Sequence, residues 1–145
     1  MKIKLKNIQQ LIYISILIIA ISCSKSSGSG STPTPPPPTP VEENIAFTID
    51  IDPGSNVFPA LGSTQDAKIT LTSKMPTAGI TLDVLVKSDL DNTTISSGSY
   101  SSSISPFTAT ITNLTPGVLC NATFTIKSKT TLSNTAIKSF KIAKK

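Results

Sequence analysis

The sequence contains no histidine, tryptophan or arginine, and only two of its 145 residues are cysteines. Without histidine, the chain cannot build Ser-His-Asp or Cys-His catalytic groups, a histidine-ligated metal site or an imidazole pH switch. Two cysteines cannot form a zinc site or a disulfide framework on their own. Because the usual pairs of nucleophile and base are missing, we expect a protein that is not an enzyme and holds no cofactor or metal.

Positive charge is concentrated at the start of the chain. The formal net charge is +5, and Lys2, Lys4 and Lys6 lie within the first six residues. Without these three lysines the remaining charge is +2. This excess is too small for a nucleic-acid-binding surface, so no nucleic-acid partner is expected.

An apolar segment follows the three lysines. Residues 11–21 are apolar except for Ser15, and they supply about half of the roughly 20 residues that a membrane-spanning helix needs. A basic start, a short apolar stretch and small residues at its end are typical of a secretory signal peptide. The segment ends in the sequence Ala20-Ile21-Ser22-Cys23, which resembles the lipobox of bacterial lipoproteins.

The resemblance implies that residues 1–22 are removed and that Cys23 becomes the lipidated first residue, which attaches the protein to a membrane. Acyl chains there would bury many methylene groups at about 0.8 kcal/mol each, so the anchor would be effectively permanent. By the same family analogy, Ser24 after the cysteine implies delivery to the outer membrane of the cell envelope, on the periplasmic face or at the cell surface. An ordinary signal peptide with an incidental cysteine, or a short anchor helix, is the alternative.

The segment after Cys23 is predicted to be a spacer. Residues 24–40 consist only of Ser, Lys, Gly, Thr and Pro, and such a composition cannot bury a core. From Pro33 to Pro40 we expect an extended polyproline II helix, which rises about 3.1 Å per residue. Residues 23–40 would therefore separate the lipid from a domain at residues 41–145.

The remainder of the chain is predicted to be all-β. Alternation of apolar and polar residues is the pattern of strands with one buried face. It occurs in the segments Ile45–Asp52, Ala67–Thr72, Ile80–Lys87, Phe107–Thr112 and Cys120–Lys127. Residues 92–103 are weakly patterned and predict at most a short edge strand, around Thr94–Ile95 or around Tyr100. In a last strand over residues 135–143, Ile137 is out of step with Phe140, which predicts a β-bulge near Lys138 or Ser139.

A second resemblance lies in the stretch from Leu114 to Phe124. Leu114, Pro116 and Gly117, followed by an alternating strand, resemble the signature of fibronectin type III domains. The resemblance implies an immunoglobulin-like (fibronectin type III-like) antiparallel sandwich of about seven strands. Cys120 stands where that family usually has a tyrosine that bonds back to the preceding corner. We expect Cys120 to be a buried and unreactive thiol instead.

Few side chains are candidates for contact with a ligand. Tyr100, in its Ser-rich segment, is the candidate for stacking against a sugar ring. Asp50 and Asp52, or Asp89 and Asp91, could contribute oxygens to a calcium site. Neither pair extends into a longer acidic loop, so solvated surface positions are predicted for all four carboxylates.

These features together predict a non-enzymatic protein of the cell envelope, anchored through lipid at Cys23. It would display one β-sandwich for binding, or for a structural or adhesive contact with an unknown partner. The alternative is a glycan-binding accessory module, in which Tyr100 helps to present polysaccharide to other envelope machinery.

Overall fold

In the computed structural model, which describes residues 41–145, the alternating segments form eight β-strands and no helix. The strands are β1 (Phe47–Ile49), β2 (Val57–Ala60), β3 (Gln65–Leu71), β4 (Ile80–Ser88), β5 (Thr94–Ser102), β6 (Phe107–Ile111), β7 (Leu119–Ser128) and β8 (Thr135–Lys144). The predictions for the signal segment, for Cys23 and for the Pro-rich spacer lie outside the described residues.

The strands form two sheets. One sheet has three strands in the order β1-β3-β6, and the other has five in the order β2-β8-β7-β4-β5. β2 runs parallel to β8, and the other pairs of these eight strands are antiparallel. The prediction of an all-β sandwich is confirmed at this level.

The core lies between the two sheets, where the inward-facing residues of the alternating pattern meet. Phe124 of β7 is fully buried and stacks on Phe140 of β8, with ring centroids 5.6 Å apart. Ile69 of β3 and Ile111 of β6 are also fully buried. Burial of an aliphatic or aromatic side chain of this size contributes about 1.5–3 kcal/mol. The period-two pattern therefore determines which face of each sheet lies inside.

Two local predictions are wrong. The strand predicted to be short is β5, which has nine residues and pairs with β4 along its length. Small polar residues give little hydrophobic signal, but their backbone groups pair as well as those of any other residue. The bulge predicted near Lys138 or Ser139 is also absent.

β8 instead pairs with β7 in one continuous register. Ile137 simply points to solvent, where 63% of its surface is exposed. An apolar side chain on the exposed face costs less than a break in the backbone ladder. The irregularity in this sheet lies in the pairing of β4 with β5, where Val86 pairs with Ser96 and Lys87 with Thr94, so that Ile95 of β5 is the extra residue.

The connecting segments gather at two opposite ends of the sandwich. Ile80 pairs with Ser128 at one end of β4, and Ser88 pairs with Cys120 at the other, about 27 Å away at the usual rise of a strand. We call the first the proximal end, with residues 41–45, 72–79 and 129–134. The second is the distal end, with residues 89–93 and 112–118.

The chain enters the domain at the proximal end, where Asn134 holds it. The side-chain oxygen Oδ1 of Asn134 accepts a hydrogen bond from the Ile45 N–H at 2.9 Å. Its Nδ2 donates to the Glu43 carbonyl oxygen at 2.8 Å and to Glu42 Oε1 at 3.2 Å. One amide side chain therefore links the first residues of the domain to the loop between β7 and β8.

Candidate functional site

A cleft of about 570 Å³ opens at the distal end, between the β4–β5 loop and the segment that leads into β7. This volume is in the range of pockets that hold small ligands or single side chains of a partner. The cleft, which we call the distal cleft, has an apolar floor with polar groups at its rim. Its walls come from residues 88–95 and 117–119.

The apolar part of the distal cleft consists of four side chains. Leu90 is 95% exposed and Leu119 is 38% exposed, while Ile95 and Val118 are half-buried against the core. Single exposed apolar residues are common on protein surfaces, but a group of them around a concavity is typical of a binding site. The arrangement is suited to an apolar ligand group.

The β4–β5 loop is held by hydrogen bonds of its own polar residues. The Ser88 hydroxyl accepts from the Leu90 N–H at 3.3 Å, and Asp91 Oδ1 accepts from the Thr93 N–H at 3.1 Å. Asn92 adopts a left-handed conformation, with φ of 58°, which Asn tolerates better than most residues. These bonds hold a tight turn in which the Leu90 side chain is exposed to solvent.

The second wall of the cleft contains the Pro-Gly turn. Gly117 has φ of 76°, a left-handed conformation that glycine adopts without a steric cost. Pro116 forms a bridge with Lys144 at the end of β8. This turn places Val118 and Leu119 beside the β4–β5 loop.

Cys120 lies directly below this wall and is fully buried, as predicted. Burial raises the pKa of its thiol, and the negative charge of Asp89 raises it further. Because the thiolate is the nucleophilic form of cysteine, a raised pKa favours low reactivity of Cys120 at neutral pH.

Two carboxylates lie at the rim of the distal cleft. Asp89 forms an ion pair with Lys141 of β8. The hydroxyls of Ser88 and Thr93 lower the pKa of Asp91, so this group stays ionised at neutral pH. The cleft therefore combines an apolar floor with a negatively charged edge.

The other acidic pair lies away from the cleft and is engaged locally. Asp50 Oδ1 accepts a hydrogen bond from the Lys68 N–H at 2.8 Å. Asp52 accepts from the Gly54 N–H at 3.0 Å and lies 3.8 Å from the Lys138 ammonium group. Within residues 41–145, no three side chains of the metal-binding types come together.

Tyr100 lies in β5 rather than in a loop, and it is not part of the distal cleft. The ring is half-buried, and its hydroxyl donates to the Thr110 carbonyl oxygen at 3.0 Å and accepts from the Thr110 N–H at 2.9 Å. The expectation of a freely presented ring is therefore wrong, because both the ring and the hydroxyl take part in the packing of the sandwich.

Asp89 and Asp91 at the cleft were considered from the sequence only as possible calcium ligands, and its apolar side chains were not singled out. Two signals for them exist. Leu90 is an apolar residue within a turn of polar residues, and Val118 and Leu119 are adjacent apolar residues where an alternating strand permits only one inward side chain. Both signals are weak, because each residue alone is also compatible with an ordinary surface position.

Comparison of the sequence with models of known protein families gives no match, and comparison with curated proteins gives none either. None of residues 41–145 lies in a helix with the length and hydropathy needed to cross a bilayer.

Proposed function

We propose that this protein is a lipoprotein of the bacterial cell envelope that displays a single immunoglobulin-like domain and binds a partner through the distal cleft. The sequence Ala20-Ile21-Ser22-Cys23 supports the lipid anchor, and the Pro-rich residues after it support a spacer. In this proposal the protein is not an enzyme, and its anchor lies in the outer membrane.

The strand arrangement supports an immunoglobulin-like sandwich. About 100 residues form two facing sheets with loops gathered at both ends, as in that class of domain. Leu114, Pro116 and Gly117 lie in the segment just before β7, which is consistent with the resemblance to the fibronectin type III signature. Cys120 lacks the hydroxyl that usually ties this corner. A tyrosine hydroxyl does bond to the backbone in this domain, but it comes from Tyr100 of β5.

The observation that carries the functional proposal is the position of the cleft relative to the start of the domain. The chain enters at the proximal end, beside Asn134, and the distal cleft lies at the other end of β4. The cleft therefore lies at the end of the domain opposite Val41, where the proposed spacer would be attached.

Mass spectrometry of the membrane-extracted protein, combined with protease treatment of intact cells, tests the anchor. We expect a mature chain that begins at triacylated Cys23. Cleavage of residues 41–145 by external protease would show display at the cell surface, and protection would show a periplasmic domain. A chain without lipid at Cys23 would contradict the anchor and leave a secreted domain.

Two matched variants test the cleft. Leu90 and Leu132 are both strongly exposed, at 95% and 76%, but they lie at the distal and the proximal end respectively. In chains that also carry Cys23→Ser, which removes the lipid attachment site, we expect Leu90→Ser to reduce binding of the protein to isolated cell-wall and outer-membrane fractions, and Leu132→Ser to leave this binding unchanged. Equal binding by both variants and the wild type would show that the distal cleft is not the binding surface.

The glycan-binding alternative depended on an accessible Tyr100. Tyr100 is half-buried and its hydroxyl bonds to β6, which gives this alternative less support than an exposed ring would. The apolar floor of the distal cleft favours a partner that inserts an apolar group instead.

A further inference from the structure

β5 is an edge strand without the features that normally protect such strands. Edge strands are usually short, charged, interrupted by proline or covered, because an unpaired edge can bind another strand. The edge strands β1 and β2 have three and four residues, and β2 contains Pro59. β5 has nine residues, Thr94–Ser102, with neither a charged side chain nor a proline.

The outward backbone groups of β5 belong to three serines. The Ser88 N–H donates to the carbonyl oxygen of Thr93, just before β5, and the Asp89 N–H donates to the carbonyl oxygen of Leu119 in β7, both at 2.9 Å. Because the bonds of an antiparallel strand alternate between its neighbours, Gly98 and Tyr100, the partners of Val84 and Leu82, bond to β4. The intervening residues then point their N–H and C=O groups away from the sheet. They are Ser97, Ser99 and Ser101.

These outward groups are open to a further strand. Ser97, Ser99 and Ser101 are exposed, and within the described part of the chain their backbone groups have no partner. Tyr100 reaches inward to the edge of β6 that lies opposite β3. β5 must therefore extend beyond β6, so that β6 does not cover its outer edge.

The segment around Ser99 is suited to antiparallel pairing with the same segment of a second copy. Residues 96–102 read Ser-Ser-Gly-Ser-Tyr-Ser-Ser. If two copies pair antiparallel with Ser99 facing Ser99, then Ser97 faces Ser101, and Gly98 faces Tyr100 of the second copy. The Tyr100 ring already lies over Gly98 of its own chain, so each pair of Gly98 with Tyr100 of the second copy places no further side chain opposite the ring. No like charges are brought together, because the segment has none.

We propose that β5 pairs antiparallel with β5 of a second copy of this chain about a two-fold axis at Ser99. Ser97, Ser99 and Ser101 exchange backbone hydrogen bonds with Ser101, Ser99 and Ser97 of the second copy, and the two five-stranded sheets become one continuous sheet. A symmetric contact of this kind closes after two copies. The proposal is independent of the lipid anchor and of the distal cleft.

Cysteine cross-linking in membranes that contain the full chain tests both the contact and its register. Ser99→Cys should form a disulfide-linked dimer under mild oxidation, because facing residues of paired strands lie within disulfide distance. Ser97→Cys and Ser101→Cys should each cross-link poorly alone and efficiently when expressed together. Thr48→Cys, exposed on edge strand β1, is the control. Cys120 is buried and should not contribute.

Two outcomes of the cross-linking would overturn the proposal. One is dimer formation by Ser99→Cys no faster than by Thr48→Cys. The other is equal self-cross-linking at positions 97, 99 and 101, which would indicate a parallel contact or random collision.

A charge-exchange experiment provides an independent measurement. In the full chain carrying Cys23→Ser, Ser99→Lys and Ser99→Asp should each shift the protein from dimer to monomer in sedimentation velocity, because like charges then meet at the two-fold axis. The shift should be larger for Ser99→Asp, because the Asp83 carboxylate beside position 99 partly neutralises a lysine there but adds to the repulsion between two aspartates. An equimolar mixture of the two variants should recover the dimer. Circular dichroism identifies a variant that fails to fold. A wild-type protein that stays monomeric at the highest soluble concentration, and whose Ser99→Cys variant does not cross-link in membranes, would refute the contact.

Discussion

The hydroxyl of Tyr100 bonds to both backbone groups of Thr110, as a donor to the carbonyl oxygen at 3.0 Å and as an acceptor from the N–H at 2.9 Å. Two residues after Thr110, just beyond the end of β6, the Thr112 N–H donates to the Ser96 hydroxyl at 3.1 Å. Side chains of β5 thus satisfy the backbone groups that β6 presents on its unpaired side. The two sheets are joined along this side by hydrogen bonds as well as by the core.

Removal of the Tyr100 hydroxyl tests how much these hydrogen bonds between β5 and β6 stabilise the domain. We expect Tyr100→Phe to lower the free energy of unfolding by about 1 kcal/mol, because two backbone groups lose their partner while the ring stays in place. Chemical denaturation measures the change. Ser97→Ala, on the exposed face of the same strand, should change stability by less than about 0.5 kcal/mol. Equal effects of the two substitutions would show that the bonds to Thr110 contribute nothing.

Gly98 is needed because the Tyr100 ring lies over it. A Cβ atom at position 98 would lie 3.0 Å from Cε2 of Tyr100 and 3.2 Å from its hydroxyl oxygen. We expect Gly98→Ala to displace the ring and weaken the bonds to Thr110, despite the preference of strands for alanine over glycine. A double-mutant cycle with Tyr100→Phe should show coupling, with a smaller penalty when the hydroxyl is already absent. Additive effects would contradict this explanation.

The buried thiol of Cys120 predicts a loss of stability in alkali. Burial raises the pKa of this thiol in the folded state. The protonated thiol therefore makes its full contribution to the unfolding free energy below the pKa of an ordinary thiol, about 8.5, and this contribution is lost as pH rises through the pKa of the folded state. We expect the unfolding free energy of the wild type to fall more steeply above this pH than that of Cys120→Ala. Parallel pH profiles of the two proteins would argue against a raised pKa.

The reactivity of Cys120 provides a second measurement. The native protein should react slowly with iodoacetamide, and the rate should increase with denaturant as the thiol becomes exposed. Fast alkylation of the native protein would show that the thiol is accessible.

Asn134 is expected to hold the start of the domain. Asn134→Ala removes the acceptor of the Ile45 N–H and the donor to Glu43. We expect faster hydrogen exchange at the Ile45 amide, with little change at amides of β4 and β7. Ser133→Ala, at the exposed neighbouring position, is the control. Unchanged protection of Ile45 in Asn134→Ala would contradict this role.

Glu42 makes the same contact sensitive to acid. The hydroxyls of Ser128 and Thr131 and the amide of Asn134 lower its pKa in the folded state. Its contribution is therefore present at neutral pH and is lost as pH falls through that lowered value. We expect Glu42→Gln to reduce the acid-dependent part of Ile45 exchange. An identical acid dependence in wild type and variant would assign the effect to another carboxylate.

The sequence predicts the core better than the edges. The inward residues of β3, β4, β6 and β7 follow from their alternation, because burial of one face acts on every second residue. β5 could not be predicted in the same way, since its Ser and Gly residues carry almost no hydrophobic signal. Its length comes from backbone pairing with β4, which depends on tertiary structure.

The candidate site is harder still to predict, because it depends on which loops meet. Leu90 and Val118 are 28 positions apart in the sequence and come together only because β4 ends and β7 begins at the same end of the sandwich. Tyr100 shows the opposite error. A polar neighbourhood indicated exposure, but the inward direction at position 100 is fixed by the register with Leu82.

The direction of β1 and β2 has a mechanical consequence. Both strands run from the proximal toward the distal end, β1 against β3 and β2 alongside β8. If the proposed lipid anchor and the proposed partner at the distal cleft are both in place, tension between them would act along these strands. The hydrogen bonds between β1 and β3, and between β2 and β8, would then be loaded simultaneously in shear instead of breaking one after another. Resistance to such a pull is governed by the rate of unfolding rather than by equilibrium stability.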